Sequence, residues 1–213
     1  MNKLFFRKPF KYTFFNATLY LILINFAVFL LTNIMPRLNP LIGLNTAYFL
    51  RYRLYWQIFT YMFVHNDLSH ILFNMLALAF FGMPVEKTVG SKEFLLFYLI
   101  SGIMSGFISF LVYSNYRIFT LLIGASGAIY AVLFMYAVIF PRSKIYIWGL
   151  IPVPAPLLVI IYAIIETGSH LTYTLSHVAH FTHLAGFFIA WLYLVIRMGI
   201  HPLKVWKNAY CCR

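Results

Sequence analysis

Charge is what this sequence lacks most. Only 9% of its 213 residues are charged, and only four of these are acidic. A water-soluble globule covers its surface with about 25% charged residues, so the shortage excludes one. Cysteine is equally scarce: Cys211 and Cys212 are the two present, side by side near the C-terminus. On the reducing side of a membrane they form no structural disulfide and read as tail residues or acylation sites. Outside the apolar stretches no segment is long enough for a soluble domain, apart from residues 37–67.

What the chain has instead is hydrophobicity, with 63% hydrophobic and 20% aromatic residues. Uncharged stretches run over residues 12–36, 68–85, 94–116, 118–141, 145–165 and 167–196, and each holds at least 18 residues. Crossing a bilayer core of about 30 Å takes roughly 20 helical residues at about 1.5 Å each. The expectation is an all-α membrane protein of six spanning helices. Its parts are a basic N-terminus (1–11), a membrane domain (12–199) and a C-terminal tail (200–213). The first stretch follows a basic segment as a signal peptide does, but it is too long for an h-region and no small-residue cleavage site follows.

A net charge of +12 raises nucleic acid as a partner. The basic residues instead sit at helix ends, where the positive-inside bias puts them. With the N-terminus inside, Lys3, Arg7, Lys8, Lys11, Lys87, Lys92, Arg142, Lys144, Arg197, Lys204, Lys207 and Arg213 are cytoplasmic. Arg37, Arg51, Arg53 and Arg117 are outside, so twelve against four orient both termini inward. The loop 37–67 is rich in Leu, Tyr, Phe and Trp, yet Pro36, Pro40, Gly43, Arg51 and Arg53 prevent a span. Such an amphipathic loop belongs in the outer interface.

Polar residues inside spans are costly and mark function. The second stretch holds His70 and Asn74, the fourth Gly124, Ser126 and Tyr130, and the sixth His177, His180 and His183. These three spans run from outside to inside, so height follows from residue counts. At about 1.5 Å per residue, Asn74 lies roughly 18 Å and His70 roughly 24 Å above Glu86. Likewise Ser126 lies roughly 24 Å above Arg142, and His183 roughly 21 Å above Arg197. A serine, histidines and an asparagine at one level have the composition of a hydrolytic site, Ser126 as nucleophile and His183 as its base. His70, Asn74 and the Ser126 amide suit an oxyanion, and Tyr130, one turn after Ser126, suits packing on the imidazole.

A third, carboxylate member is harder to find. Glu86 and Glu93 belong to the inner side, Asp67 and Glu166 to outer span ends, so a Ser and His dyad is expected, with Glu166 an outside possibility. Alternatives stay open at this point. Ser126 among Gly124, Ala125, Gly127 and Ala128 also suits helix packing, and His70 with Asn74 suits an interhelical hydrogen bond. His177, His180 and His183 lie within one arc, but zinc needs three or four ligands and no His-Glu-x-x-His motif is present. No metal or cofactor is expected. Gly102 with Gly106, and Gly186 with Ala190, read as close helix contacts.

Taken together, His70-x-x-x-Asn74, Glu86 at the inner end of that span, Gly124-Ala-Ser126-Gly127 with Tyr130, and His183-Leu-Ala-Gly186 resemble the rhomboid family of intramembrane serine proteases. The resemblance implies a six-helix core whose short fourth helix starts at the serine, in a water-filled cavity open to the outside. It implies cleavage of single-pass membrane proteins within or beside their transmembrane segment, through an acyl-enzyme at Ser126 assisted by His183. His70, Asn74 and the Ser126 amide would form the oxyanion hole, Gly124 would admit the substrate backbone, and 37–67 would be a membrane-embedded loop.

Three departures stand out. The family's Trp-Arg pair appears as Trp56-Gln57, which would loosen the first loop; Ala190 replaces a glycine; and no seventh helix or appendage is seen, giving a minimal form in a bacterial cytoplasmic membrane. Substrates would enter sideways from lipid past a fifth span loosened by Pro152, Pro154 and Pro156. The rival readings are a polar-lined transporter or channel, which the apolar inner halves of the spans oppose, and a non-catalytic binder of membrane proteins.

Overall fold

The structure is a computed structural model that describes residues 9–147, 149–171 and 177–211, and of 169–171 and 177–179 the backbone alone. Lys3, Arg7, Lys8, Cys212, Arg213 and the side chain of His177 lie outside the described residues. The first helix, α1 (Ala17–Ile34), leads into the long loop, where β1 (Leu44–Asn45) lies among short helical turns. Next come α2 (Leu68–Val89), α3 (Ser91–Asn115), β2 (Leu121–Leu122) and α4 (Ser126–Ile139). The hairpin β3 (Lys144–Ile147) and β4 (Ile151–Pro154) precedes α5 (Ala155–Leu171). The chain ends with α6 (His177–Tyr193), extended by a π turn over Leu194–Met198, and α7 (Pro202–Cys211).

Among the described residues, four helices are long and apolar enough to cross a membrane, within Ala17–Ile34, Leu68–Val89, Ser91–Asn115 and His180–Met198. The other two are shorter, and here the count of uncharged residues misleads. Of 118–141, only 14 residues are helix, about 21 Å at about 1.5 Å each; the rest descends as extended chain through β2, which pairs antiparallel with β1. Of 145–165, residues 145–147 and 151–154 belong to the β3/β4 hairpin, with Lys144 opposite Pro154 and Ile147 opposite Ile151. Pro152 and Pro154 therefore lie in β4, and Pro156 falls in the first turn of α5, where a missing N–H leaves no bond unmade. The expectation that these prolines loosen the fifth span is corrected.

α4 is the hub of the bundle. Gly127, Ala128, Ile129, Ala131, Val132, Leu133, Phe134, Met135, Ala137 and Val138 are all buried, as befits a helix apolar all round. α6 packs on it so closely that a Cβ on Gly186 would collide with the Gly127 carbonyl oxygen. One turn on, Ala190 is fully buried. α2 widens into a π turn at Leu78–Gly82, just before Pro84; a proline ring inside a helix clashes with the carbonyl four residues back, and a wider turn relieves this.

Three of the four acids stabilise this framework. Glu86, buried in α2, accepts from the Ala17 and Thr18 amides at 2.5 and 2.9 Å, from the Thr18 hydroxyl at 2.6 Å and from the Ser91 hydroxyl. It thereby caps the free N–H groups at the start of α1. Glu93 receives Arg197 Nε at 2.9 Å, Arg197 Nη2 at 3.0 Å and the Tyr193 hydroxyl at 2.5 Å, joining α3 to α6. Asp67 caps α2, accepting the His70 amide at 2.8 Å and the Ser69 hydroxyl at 2.5 Å.

The first loop is braced, not loose. Gln57 is fully buried, donates to the Pro40 and Leu41 carbonyls at 2.9 and 3.2 Å, and accepts the Asn45 amide at 3.1 Å. The neutral amide both donates and accepts, so it ties three backbone groups where loosening was expected. Tyr61 donates to the Gly102 carbonyl at 2.6 Å and lies against Gly106, while Met62 and, from α4, Ala128 lie against Gly102; the α3 glycines thus receive loop side chains as well as a neighbouring helix. Leu50, Tyr52, Tyr55, Trp56 and Phe59 stay exposed, an outward belt of the kind that sits at a membrane surface.

Candidate active site

Ser126 is the first residue of α4, where backbone N–H groups have no partner within the helix. Its position depends on the loop: the Gly124 amide donates to the Tyr61 carbonyl at 3.0 Å, and the Thr46 amide donates to the Thr120 carbonyl at 3.1 Å. Gly124 has φ of 111°, a conformation that favours glycine, and this turn aims Ser126 across the bundle. His183 arrives from α6, its Nε2 2.8 Å from Ser126 Oγ. The tight passage of Gly186 over Gly127 sets that spacing, because His183 lies one turn before Gly186.

Tyr130 lies one turn after Ser126. Its ring stacks on the His183 imidazole with centroids 4.1 Å apart and planes 6° from parallel. His70 comes from α2: a Cβ at Gly124 would stand 2.8 Å from His70 Nε2 and 3.9 Å from Ser126 Oγ, so both face the space over Gly124. Asn74, buried one turn below, donates one amide hydrogen to the His70 carbonyl at 3.0 Å. The structure thus brings Ser126, His183, Tyr130, Gly124 and His70 around one space, with Asn74 at its lower edge.

One residue is misplaced by the sequence reading, which keeps it only as an outside possibility, and one escapes it. Glu166 was assigned to the outer end of the fifth span, yet it is buried beside His183, its Oε1 2.9 Å from His183 Nδ1. Tyr130 donates to the same oxygen at 2.5 Å, and His180 Nδ1 bonds Oε2. The hairpin explains the error: α5 begins at Ala155, so Glu166 stands eleven residues into the helix, about 17 Å above its start at about 1.5 Å per residue. The second is His65. It is buried, its ring centroid is 5.0 Å from that of His70, and its Nδ1 lies 3.3 Å from the Phe63 carbonyl oxygen. Burial, with the His70 ring beside it, pushes His65 down to about 4. Outside the helix, Asp67 is held at about 2 by the Ser69 hydroxyl and the His70 amide.

Glu166, His180 and His183 are also the described group with metal-ligand chemistry, their donor atoms within 4.8 Å of one another. Each is hydrogen-bonded within the group, and taking His183 Nδ1 for a metal would break its bond to Glu166. Below the site, Ala77 and Phe81 of α2 face Leu158 and Tyr162 of α5 across an apolar cavity of ≈ 270 Å³ that reaches Tyr130.

Comparison with known proteins agrees with this architecture. The family model described as the Rhomboid domain matches residues 52–199. Similar proteins include RHOMBOID-like protein 12, mitochondrial, of Arabidopsis thaliana, 31% identical over 62% of this chain and 43% of that protein. Rhomboid protease GlpG of Klebsiella pneumoniae is 37% identical over 41% of this chain and 32% of its own length. Rhomboid protease GluP of Bacillus subtilis is 42% identical over 37% of this chain and 15% of its own. The chain spans less than half the length of each of these relatives.

Proposed function

Because the chain belongs to the rhomboid family, we propose that it is an intramembrane serine endopeptidase that cleaves single-pass membrane proteins within or next to their transmembrane segment. The observation that carries this reading is the 2.8 Å approach of His183 Nε2 to Ser126 Oγ. A hydroxyl becomes a useful nucleophile when a base within hydrogen-bond reach takes its proton. Ser126 Oγ attacks the substrate carbonyl carbon as its proton passes to His183 Nε2. The oxyanion is met by the Ser126 amide, His70 and the free amide hydrogen of Asn74. His183 returns the proton to the leaving amine, and water then hydrolyses the acyl-enzyme by the same relay. Tyr130 holds the imidazole plane throughout.

The chain is an integral membrane protein. Twelve basic residues on one side against four on the other support cytoplasmic termini and a site open to the outer face. Substrate helices come sideways from lipid, and the apolar cavity between α2 and α5 supports entry there.

The test is labelling of the detergent-solubilised protein with a fluorophosphonate, comparing wild type with Ser126→Ala and His183→Ala. Labelling of wild type and of neither variant is expected. A folded wild type that stays unlabelled would refute the hydrolase reading.

A further inference from the structure

Of the four acids, Glu86 and Asp67 cap helices and Glu93 binds Arg197. Glu166 has a different set of neighbours. Among the described residues its partners are Tyr130, His180 and His183, with no arginine or lysine. A carboxylate buried without a cation needs hydrogen-bond donors, and an ionised one accepts only. Tyr130 therefore donates to Oε1, and His183 must carry its proton on Nδ1 to donate there too. That leaves the His183 Nε2 lone pair directed at Ser126 Oγ, 2.8 Å away.

We propose that Glu166 is the third member of a Ser126, His183 and Glu166 triad. It acts as a positioning residue that fixes the tautomer and heading of His183 and balances the imidazolium formed during attack. This rests on the protease reading above. The proton leaving Ser126 stops on His183 Nε2; Glu166 stays ionised and takes none, so the pair becomes an ion pair only while the tetrahedral intermediate exists. The surroundings suit that task. Tyr130 and His183 hold one carboxylate oxygen and His180 the other, so the group cannot rotate away. His180 stands one turn before His183 on α6, and Tyr130 one turn after Ser126 on α4. The carboxylate on α5 is thus held from both α4 and α6, the helices that carry Ser126 and His183.

The experiment measures cleavage kinetics of a transmembrane substrate and fluorophosphonate labelling for wild type, Glu166→Gln and Glu166→Asp in the full chain, with thermal melts alongside. A glutamine amide favours the wrong tautomer, so kcat should fall by about 10³-fold with KM within about twofold. Glu166→Asp should recover about tenfold of that loss, since it keeps the charge on a shorter stem. A folded Glu166→Gln that cleaves within about threefold of wild type overturns the triad and leaves the protease reading intact. A folded wild type that neither cleaves nor labels overturns both. Nitrogen NMR of histidine-labelled wild type is independent of whether the variants fold. His183 protonated on Nδ1 at neutral pH is expected, and a proton on Nε2 overturns the proposal.

Discussion

Replacing Gly124 by alanine separates two consequences of one added carbon. The new Cβ stands 2.8 Å from His70 Nε2 and 3.0 Å from His70 Cε1. Ordinary carbon contacts begin at about 3.5 Å, so the imidazole must withdraw by about 0.7 Å. Separately, φ at this position is 111°, and holding a residue with a Cβ in so sparse a region costs about 1–3 kcal/mol. For a chain of this size each kcal/mol lowers Tm by about 2–4 °C, so melting should fall by about 2–12 °C. If His70 meets the oxyanion, its withdrawal should remove most of one donor, a loss of about 10²-fold in kcat. The control is Gly168→Ala in α5, whose Cβ meets nothing within 4 Å; it should keep full activity and gain up to about 1 kcal/mol. The assay pairs thermal melts with cleavage of a transmembrane substrate. A Gly124→Ala protein that melts with wild type and cleaves within threefold of it would refute both arms of the reasoning.

Two further outcomes are expected. Folded protein keeps His65 neutral down to about 4, whereas an unfolded imidazole takes its proton near about 6.5. The unfolded state thus binds more protons between these values, and this contribution is complete above 6.5 and lost as pH falls toward 4. It amounts to about 3 kcal/mol in full, of which about 1.4 kcal/mol is lost by pH 5.5; melts at pH 7.5 and 5.5 should differ by less in His65→Gln, and equal differences would refute it. With Cys211→Ser and Cys212→Ser as background, linking Phe81→Cys to Leu158→Cys across the cavity should abolish cleavage of a transmembrane substrate and spare fluorophosphonate labelling. Undiminished cleavage would sink lateral entry between α2 and α5.

The parts of the molecule legible from sequence are those where one helix runs unbroken between a countable charge and the site. α2 carries His70 and Asn74 toward Glu86, and α6 carries His183 toward Arg197, each as one helix that a π turn widens without ending it. Where the backbone leaves the helix, the same arithmetic fails. Residues 145–147 and 151–154 are as apolar as the helix after them, but they pair as strands, and hydropathy cannot tell a short apolar strand from a helical segment. That shift alone sets Glu166 at the outer end of its span and leaves it an outside possibility. The Gln57 error had another source. Losing a guanidinium looked like losing a tie, yet an amide both donates and accepts, and its three backbone partners are distant in sequence and legible only once the loop is folded.

The cap that Glu86 places on α1 has a consequence for the order of biosynthesis. The carboxylate stands 68 residues after the Thr18 amide it receives, which at about 5–20 residues per second takes about 3–14 s to synthesise. During that interval the nascent first helix has bare amide groups at its N-terminal end. Its lodging in the bilayer is provisional until the corner between α2 and α3 emerges, and Glu86 and Ser91 then latch the oldest part of the chain to one made seconds later.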